Sequence, residues 1–437
     1  MSTAQLVESK AIARPWPTSR VVVRPSARDR PHPPVVAAAA AIALLPLLRP
    51  GGPANAAPVD ALIGFAIAAS IFWGVSSGQR WRFPYVFPMF LFLAGGAVGA
   101  AAGSHATAGV EALAQDLVLV AWCWAIVNVS TAPGNLRVIL GTWAYSSVVW
   151  AVLLFVGLAT STSALTGRAT KDASRTMLTF GDPNVFANYC FISIMVVWAS
   201  GRPRRWPLRV GAYAVLAAAL ATTGSNSGII SLAVGVIVAA LLGVYQRSGA
   251  VPAATMLAFV ALGAYFVLAN VDVTKLQEKA QASRYAFVRD GIGREQTSVA
   301  QRTSILHETI QLYRTGGPLG AGPGSTKARL EAEQAPFVKE AHDDYLATLT
   351  ERGVLGLLGL AFLLVSIAFR SLRGATNPLA SFSSAIVRPN AIAGAIAGTF
   401  AAMAVLELLH ARQVWTLFAI AAVLSLWGRE CPESEPS

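Results

Sequence analysis

Residues 341–360 read A-H-D-D-Y-L-A-T-L-T-E-R-G-V-L-G-L-L-G-L, a His-Asp-Asp cluster that leads straight into an apolar stretch continuing to residue 369. A run of that length crosses about 30 Å of hydrocarbon as a helix, with its polar cluster left at one mouth. Similar apolar runs recur from residue 35 to residue 427. With 54% hydrophobic and only 13% charged residues, and a mean hydropathy of +0.54, the chain lacks the polar surface to coat a soluble domain of 437 residues. Backbone groups in lipid must be satisfied within each segment, so helices are the expected element.

Working outward, transmembrane helices are expected over residues 35–49, 58–76, 84–102, 111–129, 137–159, 183–200, 208–223, 227–245, 251–270, 344–369, 390–409 and 413–428, roughly twelve in all. The fold expected is an all-α integral membrane protein with one large loop at 271–343. A basic, Pro-rich tail covers residues 1–34, and a short tail covers 429–437. The net charge of +12 is spread between apolar segments and forms no single stripe, which argues against nucleic acid. Alternate connections carry Arg80, Arg82, Arg137, Arg202, Arg204, Arg205, Arg209, Arg247, Arg370, Arg373 and Arg388, whereas the short intervening ones carry little. Positive charge collects on cytoplasmic loops, so both termini are expected inside and residues 271–343 outside.

The outside segment 160–182 breaks that pattern with Arg168, Lys171 and Arg175. Contact with lipid headgroups and a functional role are equally good readings of those cations. In the long loop, residues 299–314 place Leu306 and Ile310 four apart, with Arg302 and Arg314 on the same row, which predicts a short amphipathic helix. Gly316-Gly317-Pro318 ends it, and the closely spaced glycines that follow permit positive φ.

An imidazole and two carboxylates at the mouth of a membrane helix can meet a headgroup and a water-borne partner together. Asp343 and Asp344 each read equally well as a helix cap. His342, with an ordinary pKa of about 6.5, can accept a proton at neutral pH. Glu407 and His410 share a face of the expected eleventh helix, with Arg412 next. They read either as cavity residues or as a structural ion pair. Cys123, Cys190 and Cys431 are scattered without zinc spacing, and Glu331 and Glu333 lack companions for a metal site.

The motifs together are more specific than any one alone. Arg302 is followed by Pro318-Leu319-Gly320-Ala321-Gly322-Pro323-Gly324, then by His342-Asp343-Asp344-Tyr345-Leu346 and Glu351-Arg352-Gly353-Val354-Leu355-Gly356. In that order they resemble the O-antigen ligase and polysaccharide polymerase family, the Wzy-C superfamily. Gly181–Ala187 (G-D-P-N-V-F-A) and Thr222–Gly228 (T-T-G-S-N-S-G) resemble two further segments of that family, so the likeness spans about residues 176 to 360. Asn226 stands where the family usually has an arginine, and Asp343 where it usually has asparagine.

The resemblance implies a GT-C-like architecture and a multi-pass enzyme of the bacterial inner membrane with a periplasmic active site. It implies glycan transfer from an undecaprenyl diphosphate-linked donor to a glycan acceptor, with no cofactor and no metal. It also implies His342 as the base on the acceptor hydroxyl and Arg302 as the clamp on the diphosphate. Because Asn226 replaces the family cation, Arg175, Arg284 or Arg289 is expected to share that task, with Gly322, Asp343, Tyr345, Asn226 and His410 also near substrate. Membrane lipid and a chain-length regulator or export protein are the remaining expected partners. The likeness does not separate a polymerase of exopolysaccharide or O-antigen, the favoured reading, from a ligase acting on lipid A core. A lipid-linked oligosaccharide flippase and a non-catalytic scaffold are the competing classes. A flippase is expected to show repeat symmetry and mid-membrane charges, which this chain lacks.

Overall fold

Proline lacks the N–H that a helix start leaves unsatisfied, and its fixed φ suits the first turn. Pro33, Pro58, Pro133 and Pro183 each open a helix in the computed structural model of the chain. The structure describes residues 31–48, 57–103, 106–167, 175–284, 289, 295–334, 343–376, 382 and 384–427. Among these every regular element is helical. In chain order the helices are α1 (Pro33–Ala43), α2 (Pro58–Ser76), α3 (Val86–Ala102), α4 (Ala106–Val129), α5 (Pro133–Ala159), α6 (Ser163–Thr166), α7 (Pro183–Ser200) and α8 (Trp206–Thr222). They continue as α9 (Asn226–Ser248), α10 (Ala250–Asn270), α11 (Val273–Gln281), α12 (Glu295–Gly316), α13 (Thr326–Ala332), α14 (Asp344–Thr376), α15 (Asn390–Met403) and α16 (Arg412–Leu426).

Each apolar segment expected from sequence is a helix. Among the described residues α2, α4, α5, α7, α9 and α14 are long and apolar enough to cross a membrane, while α1, α3, α8, α15, α16 and the 250–266 part of α10 are apolar but shorter. Four expectations need correction. Helix α1 ends at Ala43, and residues 44–46 form a turn where the helix was expected to run on to 49. Helix α15 ends at Met403, six residues short of 409, so residues 404–411 form a turn instead of a helical face. Helix α14 runs to Thr376 but is broken at Gly353 (φ 64°, ψ −167°). Among its described residues the loop 271–343 holds helices α11, α12 and α13, where one was expected.

The connections sort to two ends. At one, Gln79 Nε2 and the Arg82 N–H bond to Asn128, Arg137 donates to the Ser384 carbonyl, and the Val387 and Arg388 N–H groups bond to the Ala199 carbonyl. This end holds the arginine-rich connections. At the other end Leu48, Thr179, Thr176, Thr222, Asp344 and Leu408 are tied together in pairs: Leu48 N to Thr179 Oγ1 at 3.3 Å, Thr176 to Thr222 at 2.7 Å, Leu408 N to Asp344 Oδ2 at 2.7 Å. The polar motifs fall here.

Helices α7 and α16 are apolar on every side and buried along nearly their whole length, as expected of the innermost elements. Around them, close crossings use small residues. Helix α3 crosses α14 so tightly that a Cβ on Gly95 would lie 2.6 Å from the Gly356 Cα, and one on Gly359 would lie 2.7 Å from the Phe92 Cα. In lipid such backbone approach supplies the packing that drives association. Gly95→Val is expected to cost about 1–3 kcal/mol by forcing α3 and α14 apart. A lower melting temperature of the detergent-purified protein, at unchanged helix content, is the measurement that checks it.

Candidate functional site

Closely spaced glycines give the turn after α12 its shape. Gly317, Gly320, Gly322 and Gly324 have φ of 78°, 81°, 98° and 72°, a region that Cβ-bearing residues avoid. The turn lies in the break of α14, where hydrogen-bonding groups of a severed helix are open. Ala321 N donates to the Thr350 carbonyl at 3.0 Å, Gly322 N to the Glu351 carbonyl at 2.9 Å, and Val354 N to the Pro318 carbonyl at 3.0 Å. A Cβ on Gly353 would lie 2.5 Å from the Leu319 carbonyl carbon, so glycine is needed at the break for space as well as for φ. The Glu351 carboxylate completes the joint. Oε2 accepts from Gly324 N at 2.8 Å, and Oε1 accepts from Thr326 N at 3.2 Å and Thr326 Oγ1 at 2.7 Å. The two sequence motifs, P-L-G-A-G-P-G and E-R-G, are therefore two halves of one structure.

At the start of α14 the two carboxylates divide their work. Asp343 caps the helix, its Oδ1 accepting from Tyr345 N at 2.8 Å and Leu346 N at 3.1 Å. Burial raises its carboxyl above the ordinary range, against the lowering effect of those two N–H groups. Asp344 is buried and holds the turn after α15, accepting from Leu408 N at 2.7 Å and Leu409 N at 3.2 Å. The Tyr345 hydroxyl donates to the Phe400 carbonyl at 2.9 Å, tying α14 to α15. His342 lies outside the described residues.

Between this joint and the N-terminal part of α4 lies a cavity of about 280 Å³. Phe92, Glu111, Gln115, Asp116, Lys327, Glu351, Arg352, Glu407 and His410 line it. Arg352 Nη2 lies 2.7 Å from Asp116 Oδ2, both side chains being almost wholly buried, and the guanidinium carbon stands 4.0 Å from the Phe92 ring centroid. Glu407 and His410 do face this cavity, but from the 404–411 turn and not from a helix face, because α15 stops at Met403. Arg412 belongs elsewhere. It forms a two-pronged pair with Asp60, Nε to Oδ1 at 2.9 Å and Nη2 to Oδ2 at 2.6 Å, that joins the starts of α16 and α2.

Sequence reasoning missed Glu111, Gln115, Asp116, Lys327 and Arg352. Two carboxylates, Glu111 and Asp116, in the N-terminal half of an otherwise apolar helix, α4, were the available signal, since an ionisable group in such a segment needs a partner.

A second polar cluster joins the other two motif segments. Arg175 is buried, donating from Nε to the Thr223 carbonyl at 2.6 Å and from Nη2 to Asn184 Oδ1 at 3.0 Å. Ser225 Oγ also donates to Asn184 Oδ1, at 2.9 Å, and caps α9 by accepting from Gly228 N at 3.3 Å. Asn226 is the first residue of α9. Arg284 and Arg289 are exposed. Arg302 lies on α12, and its side chain is outside the described set. The buried face of α12 is Ile305, Thr309 and Leu312, one residue round from the expected Leu306–Ile310 row, which is exposed at 44% and 36%. The 3.6-residue period gave the helix but not which of two adjacent rows turns inward. Among the described residues no group of three or more His, Cys, Asp or Glu side chains is placed to hold a metal ion.

The Gly-rich turn, the α14 break and the Asp343–Asp344 start all fall in one contiguous piece of chain. Residues 211–361 match the O-Antigen ligase family, Wzy_C. No curated protein matches the chain. The O-antigen ligase match covers one wall of the cavity, from Pro323 to Arg352, whereas Phe92, Asp116, Glu407 and His410 lie beyond it. The family segment is thus completed by α3, α4 and the turn after α15.

Proposed function

We propose that the protein is a multi-pass glycosyltransferase of the bacterial inner membrane, moving a glycan from an undecaprenyl diphosphate carrier to an acceptor sugar hydroxyl. All twelve apolar helices span the membrane in this reading. Both termini and the arginine-rich connections are cytoplasmic, and the cavity end is periplasmic. The observation that carries the proposal is the joint between the Gly-rich turn and Glu351, which lies inside the O-antigen ligase match and forms a wall of a polar cavity. Transfer of a whole glycan unit needs such a polar surface beside a lipid phase that accommodates the polyprenyl tail.

In the mechanism, the acceptor oxygen attacks the anomeric carbon and the bond from that carbon to the phosphate oxygen breaks. Undecaprenyl diphosphate leaves with the electron pair, and His342 takes the acceptor proton. Arg302, whose planar fork suits phosphate oxygens, neutralises charge building on the leaving diphosphate. With Asn226 at the family's arginine position, Arg284 and Arg289 supply further positive charge, while Arg175 holds the start of α9 in place. Gly322, Asp343, Tyr345 and His410 border the acceptor side. Extension of exopolysaccharide or O-antigen repeat units is the favoured reaction. Ligation to lipid A core is the second reading, favoured by the description of the matching family.

Glycan analysis tests the proposal in cells lacking the protein, complemented with wild type or His342→Ala at matched membrane levels. Only wild type is expected to restore long glycan. Single-repeat products in the deletion support a polymerase, and accumulated long lipid-linked chains support a ligase. Normal glycan with His342→Ala would overturn the assignment of that residue and bring the flippase or scaffold reading forward.

A further inference from the structure

At the arginine-rich end, away from the glycan cavity, a larger cavity of about 750 Å³ opens between α7, α8, α9 and α15. Arg209, Arg247 and Arg388 line it together with Trp198, Trp206 and Tyr213, and among the described residues no carboxylate does. Arg209 is held in place by neutral acceptors, donating from Nε to the Pro203 carbonyl at 3.0 Å and from Nη2 to the Arg204 carbonyl at 3.1 Å. Those bonds orient the guanidinium without cancelling its charge. Helix macrodipoles do not explain the arrangement either. Arg247, in the last turn of α9, is where a cation is favoured, but Arg209 in the first turn of α8 and Arg388 just before α15 stand at helix starts, where an anion is favoured. Three cations around one cavity, two of them at positive helix ends, make a site whose charge suits an anion.

We infer that this cavity binds the phosphate headgroup of an anionic phospholipid. Phosphate chemistry follows from the guanidinium forks. A lipid source follows from Trp206, a wall residue that is 70% exposed, since tryptophan marks the headgroup level of a bilayer, and from the exposed Leu208 and Val210 on the same helix. Basic pockets between membrane helices on the cytoplasmic side are suited to such headgroups. The site is independent of the glycan reaction and stands whether or not that reading holds.

The test uses full-length protein extracted from vesicles of phosphatidylcholine containing a minor fraction of cardiolipin, with bound lipid counted by native mass spectrometry. Wild type is expected to retain cardiolipin, and Arg209→Gln/Arg388→Gln to retain at least about tenfold less, as two lost charge-assisted contacts imply. Arg204→Gln/Arg205→Gln removes the same charge from the same end without touching the cavity and is expected to retain lipid as wild type does. Thermal unfolding in pure phosphatidylcholine confirms that all three proteins are folded. Equal retention by the cavity variant and wild type would overturn the inference, as would equal loss in both double variants. Displacement of cardiolipin by inorganic phosphate at matched concentration would overturn the lipid source.

Discussion

Arg352→Ala is expected to destabilise the protein by about 3–5 kcal/mol, because it strands the Asp116 carboxylate in a buried site. Two contacts are lost at once, and their magnitudes separate them. Stacking of the guanidinium on Phe92 is worth about 0.5–2 kcal/mol, too little to carry the whole effect. The larger part is the penalty on Asp116. Removing that charge as well should therefore recover most of the loss, so Arg352→Ala/Asp116→Asn is expected to unfold closer to wild type than Arg352→Ala alone. Unfolding of the purified protein in detergent measures all three. A single variant within about 1 kcal/mol of wild type would show that the pair is not the buried unit described here.

That pair also shows where sequence reading stops. Hydropathy alone places every apolar helix, because a lipid-spanning backbone leaves no other element available and the proline starts fix many of its boundaries. The order of motifs points to the right piece of chain for the family match. Sequence does not show that P-L-G-A-G-P-G fills a break at Gly353, since a glycine followed by apolar residues reads as continuous helix until the turn that competes for its backbone groups is in place. The end of α15 is missed for a related reason. Residues 404–409 are apolar enough to continue a helix, but in the structure Asp344 accepts from the Leu408 and Leu409 N–H groups and holds them in a turn. Asp116 was visible as a charge in an apolar segment, but its partner is Arg352, 236 positions further along the chain, a distance that no local pattern bridges.

Glu351 is expected to link stability to the proposed reaction. Glu351→Ala removes the acceptor for Gly324 N, Thr326 N and Thr326 Oγ1 together, and with hydrogen bonds to a charged group worth about 1.5–3 kcal/mol each, a loss of about 3–5 kcal/mol is expected after partial relaxation. The turn then loses its hold on the α14 break, so long glycan should fall even where the variant reaches the membrane. Glu351→Gln separates charge from shape. Its amide oxygen can still accept from Thr326, but its NH2 group would face the Gly324 N–H donor to donor. The Gln variant should therefore melt between Ala and wild type, with Gly324 released and α13 still capped. Melting temperature and glycan length, measured on the same membranes, test this. If Glu351→Ala matched wild type in both, the joint would be incidental to fold and reaction alike. If it matched in melting but lost long glycan, the carboxylate would act on the substrate directly, and its bonds to the turn would serve to aim it.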